Sequence, residues 1–350
     1  MLINSTPVRT CKKFNINDFE FNEKIPTKIN KFENIKISQE ILKDKIISDC
    51  EYEKENLKYG TGLEDLIYDN SNQNIKININ SKINKDIKIE FKFDKENKDL
   101  FENIEIIAKE NCNSNIYILY RKRDFEEAFH NGLIKVFAKK NSKININIIN
   151  LMNDNSNNIL SIDGKIEDEA KVQYNIIDLG GKNSVTNIYS NLAGEKANNV
   201  INSIYIGKAN QKIDMNYIAE CFGEKSNINI DVQGALKDEA IKHFKGTIDF
   251  KKGCKKSVGN EAENCMLLSD KAKSLALPML LCSEEDVEGN HSASSGKADE
   301  KELFYIMTRG FDRKSAEKLL VRARFNKMLD EIKNSEIRQE ISYEIDQKLS

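Results

Sequence analysis

The chain has 350 residues, and its 54 Lys and Arg nearly balance 56 Asp and Glu to leave a net charge of −2. Without a basic excess to neutralise phosphates, a general nucleic-acid binder is excluded. No apolar run approaches the roughly 20 residues that a membrane helix needs, so no membrane role is expected.

The opening Met1-Leu2-Ile3-Asn4-Ser5 has neither the basic nor the apolar region of a cleaved export signal. Seven cysteines (Cys11, Cys50, Cys112, Cys221, Cys254, Cys265 and Cys282) form no CxxC pair. Together these features predict free thiols in a reducing cytoplasm. Asn, Ile and Lys are so frequent that biased codon usage accounts for much of the surface.

Residues 1–70 read as an irregular, partly helical leader. Ser38 is positioned to cap a helix running through Ile41 and Leu42 to Ile47, and Tyr59-Gly60-Thr61-Gly62 punctuates its end. Residues 71–290 form a β body. Ile75–Ile79 and Ile87–Phe93 alternate strictly, and apolar runs return about every dozen residues as far as Ile241–Phe250. Period two predicts one buried and one wet face. With no intervening helical pattern, a doubly wound fold is ruled out. Sandwich, barrel and solenoid stay open, and the number of similar strands favours a solenoid.

Residues 291–350 change period. Asp299 can cap a helix carrying Leu303, Ile306 and Met307, with Gly310 at its end. Asp312 can cap a second with Ala316, Leu319, Leu320 and Ala323, and Ile337, Ile341, Ile345 and Leu349 mark a third. This unit reads either as a cap on the end of the β body or as a partner-docking surface.

Leu179-Gly180-Gly181-Lys182-Asn183-Ser184 lacks the first glycine and the following helix of a phosphate loop. His130 precedes Asn131-Gly132, a turn dipeptide, and is expected at the surface. His243 sits in a strand pattern and reads as structural. Residues 254–296 are densest in chemistry, with Cys254, Cys265, Cys282, Glu284-Glu285-Asp286 and His291. Imidazole and thiolate suit iron or zinc, but the spacings match no closed four-ligand site, and a loop histidine is the plain reading.

The same region resembles a known family. Gly234-Ala235-Leu236-Lys237-Asp238-Glu239 with Phe244-Lys245-Gly246 is similar to a segment of the SufB/SufD iron–sulfur cluster assembly proteins. So are Met266-Leu267-Leu268-Ser269-Asp270-Lys271-Ala272 with Leu277-Pro278, and Glu285-Asp286-Val287, His291, Gly296, Asp299, Glu300, Leu303-Phe304-Tyr305 and Arg309-Gly310. The likeness spans about residues 115–330, with Asp178-Leu179-Gly180-Gly181 and Asn191-Leu192-Ala193-Gly194 in its middle; in the leader only Pro7-Val8-Arg9-Thr10 carries it.

The resemblance implies a mainly β fold: a right-handed parallel β-helix (β-solenoid) core with a helical C-terminal region and a short irregular N-terminal region. It also implies a non-enzymatic, cytoplasmic subunit that binds no nucleotide. The implied partners are a SufC-like ABC-type ATPase and a SufB-like subunit or a second copy. The ATPase surface carries over to Leu303, Phe304, Tyr305, Arg309, Gly310, Leu319 and Leu320.

Glu263 stands where the SufB scaffold has its cysteine, and Ser292 where SufB has Glu after the late histidine, so the likeness is to SufD. His291 is then the implied residue for iron or an iron–sulfur cluster at a subunit interface, with Cys265 and Cys282 as substitute ligands. Two alternatives remain. One is a homodimeric scaffold holding the cluster through those cysteines; the other is a carbohydrate-active β-helix enzyme with carboxylates along a groove.

Overall fold

The computed structural model describes residues 1–11, 13–38, 46–49, 54, 57–83, 85–122 and 127–350. The leader contributes β1 (Leu2–Ile3), β2 (Phe19–Glu20), β3 (Ile35–Ile37), β4 (Ile47–Asp49) and a short helix, α1 (Glu64–Asn70). The helix expected from Ser38 lies mostly outside the described residues, and its last position, Ile47, belongs to β4.

From Gln73 onward the chain forms parallel strands, starting with β5 (Gln73–Ile79), β6 (Ile87–Phe93) and β7 (Asp99–Ala108). They end with β17 (Ile241–Phe250), β18 (Ser257–Leu267), β19 (Lys273–Cys282) and β20 (Val287–Lys297). Odd-numbered strands stack in one sheet and even-numbered strands in the other. Each pairs with the strand two places on, and partners such as Ile146 and Tyr174 lie roughly 30 residues apart in sequence. The fold is a parallel β-solenoid of about eight coils.

The alternation works as expected on the inside, where Ile144, Ile146 and Ile148 join one continuous core. On the outside the expectation of a wet face is wrong for most coils. The outward residues Tyr117, Leu119, Ile149, Leu151, Ile177 and Ile204 of the even sheet are buried by the C-terminal helices. The outward Phe101, Phe129, Ile159 and Val185 of the odd sheet are buried by Ile3, Phe19, Phe21 and Leu63 of the leader. Some polar outward positions are structural too. Asn147 donates to Asn115 (2.9 Å), Asn175 to Asn147 (2.8 Å) and Asn202 to Asn175 (3.0 Å). This amide ladder repeats the inter-strand spacing, so part of the asparagine content is architectural.

The helices are α2 (Glu300–Thr308), α3 (Arg313–Leu329) and α4 (Ser335–Leu349). Asp299 accepts from the Lys301 amide and Asp312 from the Ser315 amide, the capping foreseen from sequence. Ile337, Ile341, Ile345 and Leu349 all face the core. The unit does not cap the end of the β body; it lies along the flank of the even sheet, because that is where unsatisfied apolar residues point.

Corners of successive coils touch through glycine. A Cβ on Gly223 would lie 1.7 Å from the Gly194 carbonyl oxygen, whereas one on Gly296 would meet nothing within 4 Å. Gly223→Ala is therefore expected to lower stability by about 1–3 kcal/mol or more, because only backbone movement relieves the clash. Gly296→Ala should leave the urea midpoint unchanged.

Candidate functional site

The two ends of the solenoid differ. At the first coil, β3 pairs antiparallel with β6 and β4 with β5, closing both sheet edges. At the last coil, β19 pairs only with β17 and β20 only with β18. Every residue of β20 after Val287 is exposed. Open edges of this kind carry a row of unmatched N–H and C=O groups, which favours pairing with another chain.

His291 lies on β20, in register with Glu261 of β18. Register partners in parallel strands point to the same side, so both belong to the mouth of the solenoid interior. Glu261 is 2 % exposed, and neither carboxyl oxygen has a hydrogen-bond partner among the described residues. It occupies space that Gly246 leaves free: a Cβ there would fall 2.0 Å from Glu261 Oε1. Burial, together with the nearby Glu263 charge, pushes the Glu261 carboxyl up to about 8.

Glu263, two residues on, is partnered through one oxygen: Lys242 Nζ and Tyr205 OH each donate to its Oε1 at 2.8 Å, while its buried Oε2 accepts no hydrogen bond among the described residues. The position where the resemblance puts the scaffold's cysteine thus holds a buried ion pair.

Of the other metal candidates, Cys265 lies away from His291. Cys265 is register partner of Ser295, four residues along the strand, or about 13 Å at the usual rise. It is 2 % exposed, and burial raises its thiol pKa, which disfavours the ligating thiolate. Cys282 is exposed at the far end of β19, its thiol donating to the Glu284 carbonyl at 2.9 Å. Among the described residues no three His, Cys, Asp or Glu side chains are grouped so as to hold a metal ion.

His291 is on a strand, not in a loop. The stretch 254–297 holds three strands, and β20 carries the solenoid seven residues past the expected boundary at 290. β20 shows no apolar alternation because an edge strand exposed on both faces needs none, and β18 shows none because its buried positions include Gly259, Glu261 and Glu263.

The surface expectation for His130 is also wrong. It is fully buried, with Nδ1 2.7 Å from Asn158 Oδ1 and Nε2 3.3 Å from Glu102 Oε1, while Tyr120 donates to the same glutamate. Asn131 and Gly132 continue the strand.

On the helical unit, Phe304, Tyr305, Met307, Phe311 and Leu319 are 40–70 % exposed. Arg309 donates to Tyr305 OH at 2.9 Å and lies over its ring, 5.1 Å from the centroid. Leu320 lines a cavity of about 620 Å³ between α2 and α3 with Tyr305, Ile306 and Arg324. Leu303 is fully buried and so shapes this surface without facing outward. Gly310, at φ +97°, lets the chain turn from α2 into α3.

These features define a β-solenoid scaffold with one open end and one apolar helical face. The model of the family described as SUF system FeS cluster assembly, SufBD core domain, matches residues 91–324. The chain belongs to that family and is SufD-like.

It is 25 % identical over 181 residues to the iron–sulfur cluster assembly protein SufD of Bacillus subtilis, covering 52 % of this chain and 41 % of the relative. The SufD of Escherichia coli is 24 % identical over 171 residues, covering 49 % and 40 %. A SufBD family protein of Pyrococcus horikoshii is 25 % identical over 232 residues, covering 66 % and 50 %. The matched regions span half or less of these relatives. Among the described residues, no helix is long and apolar enough to cross a membrane.

Glu261 escaped the sequence reading; its signal was a glycine inside a strand, Gly246 of β17. A carboxyl raised from 4.5 to about 8 stays protonated on folding where the unfolded group ionises. Its contribution is present below pH ~4.5 and is lost as pH rises towards 8, by a few kcal/mol at most. In metal-free protein, Glu261→Gln should raise the melting temperature at pH 8 and leave it nearly unchanged at pH 4.5.

Proposed function

We propose that this chain is a non-ATPase, non-enzymatic subunit of a SUF iron–sulfur cluster assembly complex in the cytoplasm. Its open solenoid end pairs with a SufB-like subunit, and its helical face receives a SufC-like ABC-type ATPase. The observation that carries this reading is the asymmetry of the solenoid: one end is closed by the chain's own antiparallel strands, and the other leaves two sheet edges free. A second chain adding a strand to each sheet would satisfy those backbone groups.

Iron, or the nascent cluster, is the cargo of such a complex. At the free end this chain offers an imidazole, His291, beside the unpartnered Glu261 carboxyl. A mixed nitrogen and oxygen pair suits iron, and two donors from one chain call for more from the other. Cys265, buried and four residues along the strand from the His291 register position, stays outside this set. Covering the edge would also remove the mouth from water, which strengthens any charge interaction there.

The apolar face of α2 and α3 supports the ATPase contact. Exposed aromatics anchored by an arginine are the residue types that dominate interface energy. The test is anaerobic size-exclusion chromatography with light scattering on this chain and its cognate SufC-like ATPase. Co-elution is expected, and joint replacement of Phe304, Tyr305 and Arg309 by Ala should weaken it by about tenfold or more, with the fold intact because all three are exposed. Failure to associate, with or without a SufB-like partner, would overturn the reading. In the assembled complex, His291→Ala should lower the iron retained after desalting.

A further inference from the structure

A cavity of about 560 Å³ lies on the opposite flank of the solenoid, between the leader and the odd sheet. It joins two features of the sequence that the assembly reading leaves unused: Arg9, from Pro7-Val8-Arg9-Thr10, and His243. The sheet supplies the floor through Lys212 and His243; the leader supplies the wall through Arg9, Asp18 and Glu20.

His243 lies beside a buried carboxylate. Asp214 is fully buried, accepting from Asn4 Nδ2 and Lys245 Nζ, each at 2.6 Å, through Oδ1. Its Oδ2 has no hydrogen bond and sits 3.4 Å from His243 Nδ1. Nδ1 is buried without a hydrogen bond, and His243 lines the cavity with no hydrogen-bond partner for its other ring nitrogen among the described residues. Lys212 likewise has no ion-pair partner among the described residues.

The charges are segregated. The floor carries the lysine and the imidazole. On the wall, Arg9 is paired with Asp18 at 2.7 Å, which leaves the Glu20 carboxylate as net charge, bonded only to the Asn22 amide at 3.2 Å. Leu2, in register with Glu20, and Ile241, in register with Lys212, give the cavity an apolar part. A purely anionic ligand would meet Glu20 and a purely cationic one would meet Lys212. A molecule carrying both charges and an apolar tail satisfies every element.

We propose that this cavity binds a small zwitterion of the α-amino-acid class. Its carboxylate lies on Lys212 and His243, its ammonium faces Glu20, and its side chain lies against Leu2 and Ile241. This site is separate from the open end and from the helical face, so the proposal does not depend on the assembly reading.

The test is NMR on the full chain with ¹³C-labelled histidine. The three ring signals are resolved and His243 is assigned with His243→Gln. The probes are L-norleucine, which has both poles, hexanoate, which lacks the ammonium, and hexylamine, which lacks the carboxylate. L-norleucine should shift the His243 signal saturably, and each one-pole probe should bind about tenfold more weakly.

Lys212→Ala and Glu20→Gln, both at exposed positions, should each weaken L-norleucine by about fivefold or more without changing the fold. No saturable shift with L-norleucine would overturn the proposal. So would equal binding of hexanoate or hexylamine, or undiminished binding by both variants.

Discussion

In a solenoid, each coil hydrogen-bonds to the next, so the backbone is satisfied everywhere except at the two ends. Much of this structure follows from how those ends are treated. The leader turns back to lay β3 and β4 antiparallel on the first coil, which stops strand addition there. Nothing in the described residues does the same for β19 and β20. The polar, small-residue sequence Val287-Glu288-Gly289-Asn290-His291-Ser292-Ala293-Ser294-Ser295-Gly296 therefore remains a free edge.

The second constraint is the outer surface. A two-sheet solenoid fills its own interior but leaves the outward positions of both sheets to be covered. Here the work is divided: the C-terminal helices take the even sheet and the leader takes the odd sheet. The helices bury one face and must show the other, which puts Phe304, Tyr305 and Leu319 in solvent. The leader adds to its apolar packing polar contacts with buried groups, Asn4 on Asp214 and the Ser5 carbonyl on Asn216. Its cover is less close, and a cavity floored by His243 and Lys212 remains under it.

Charge inside the last coils has the same origin. Interior positions of a solenoid are apolar where coils stack on both sides, as with the Ile144, Ile146 and Ile148 series. Near the open end that series gives way to Lys242, Glu263 and Glu261. Lys242 pairs with Glu263 Oε1, but Glu261 has no hydrogen-bond partner among the described residues and lies in register with His291. An unpaired buried carboxyl is costly to an isolated fold, and it persists most readily where something outside the fold completes it.

Alternation at Ile75–Ile79, Ile87–Phe93 and Ile241–Phe250 determined the strands by itself, because side chains of a half-buried strand must alternate whatever they pack against. The capping aspartates, Asp299 and Asp312, determined the helix starts through bonds made within a few residues. The order of motifs around His291 was legible as a family resemblance. What needed the tertiary structure were relations between distant coils. The burial of His130 depends on Glu102 and Asn158 in neighbouring coils, and the state of Glu261 depends on space left by Gly246. The separation of Cys265 from His291 depends on strand register, and the end left open depends on where the leader returns. Local periodicity records which face a residue takes; only the stacking of coils decides what lies above and below it.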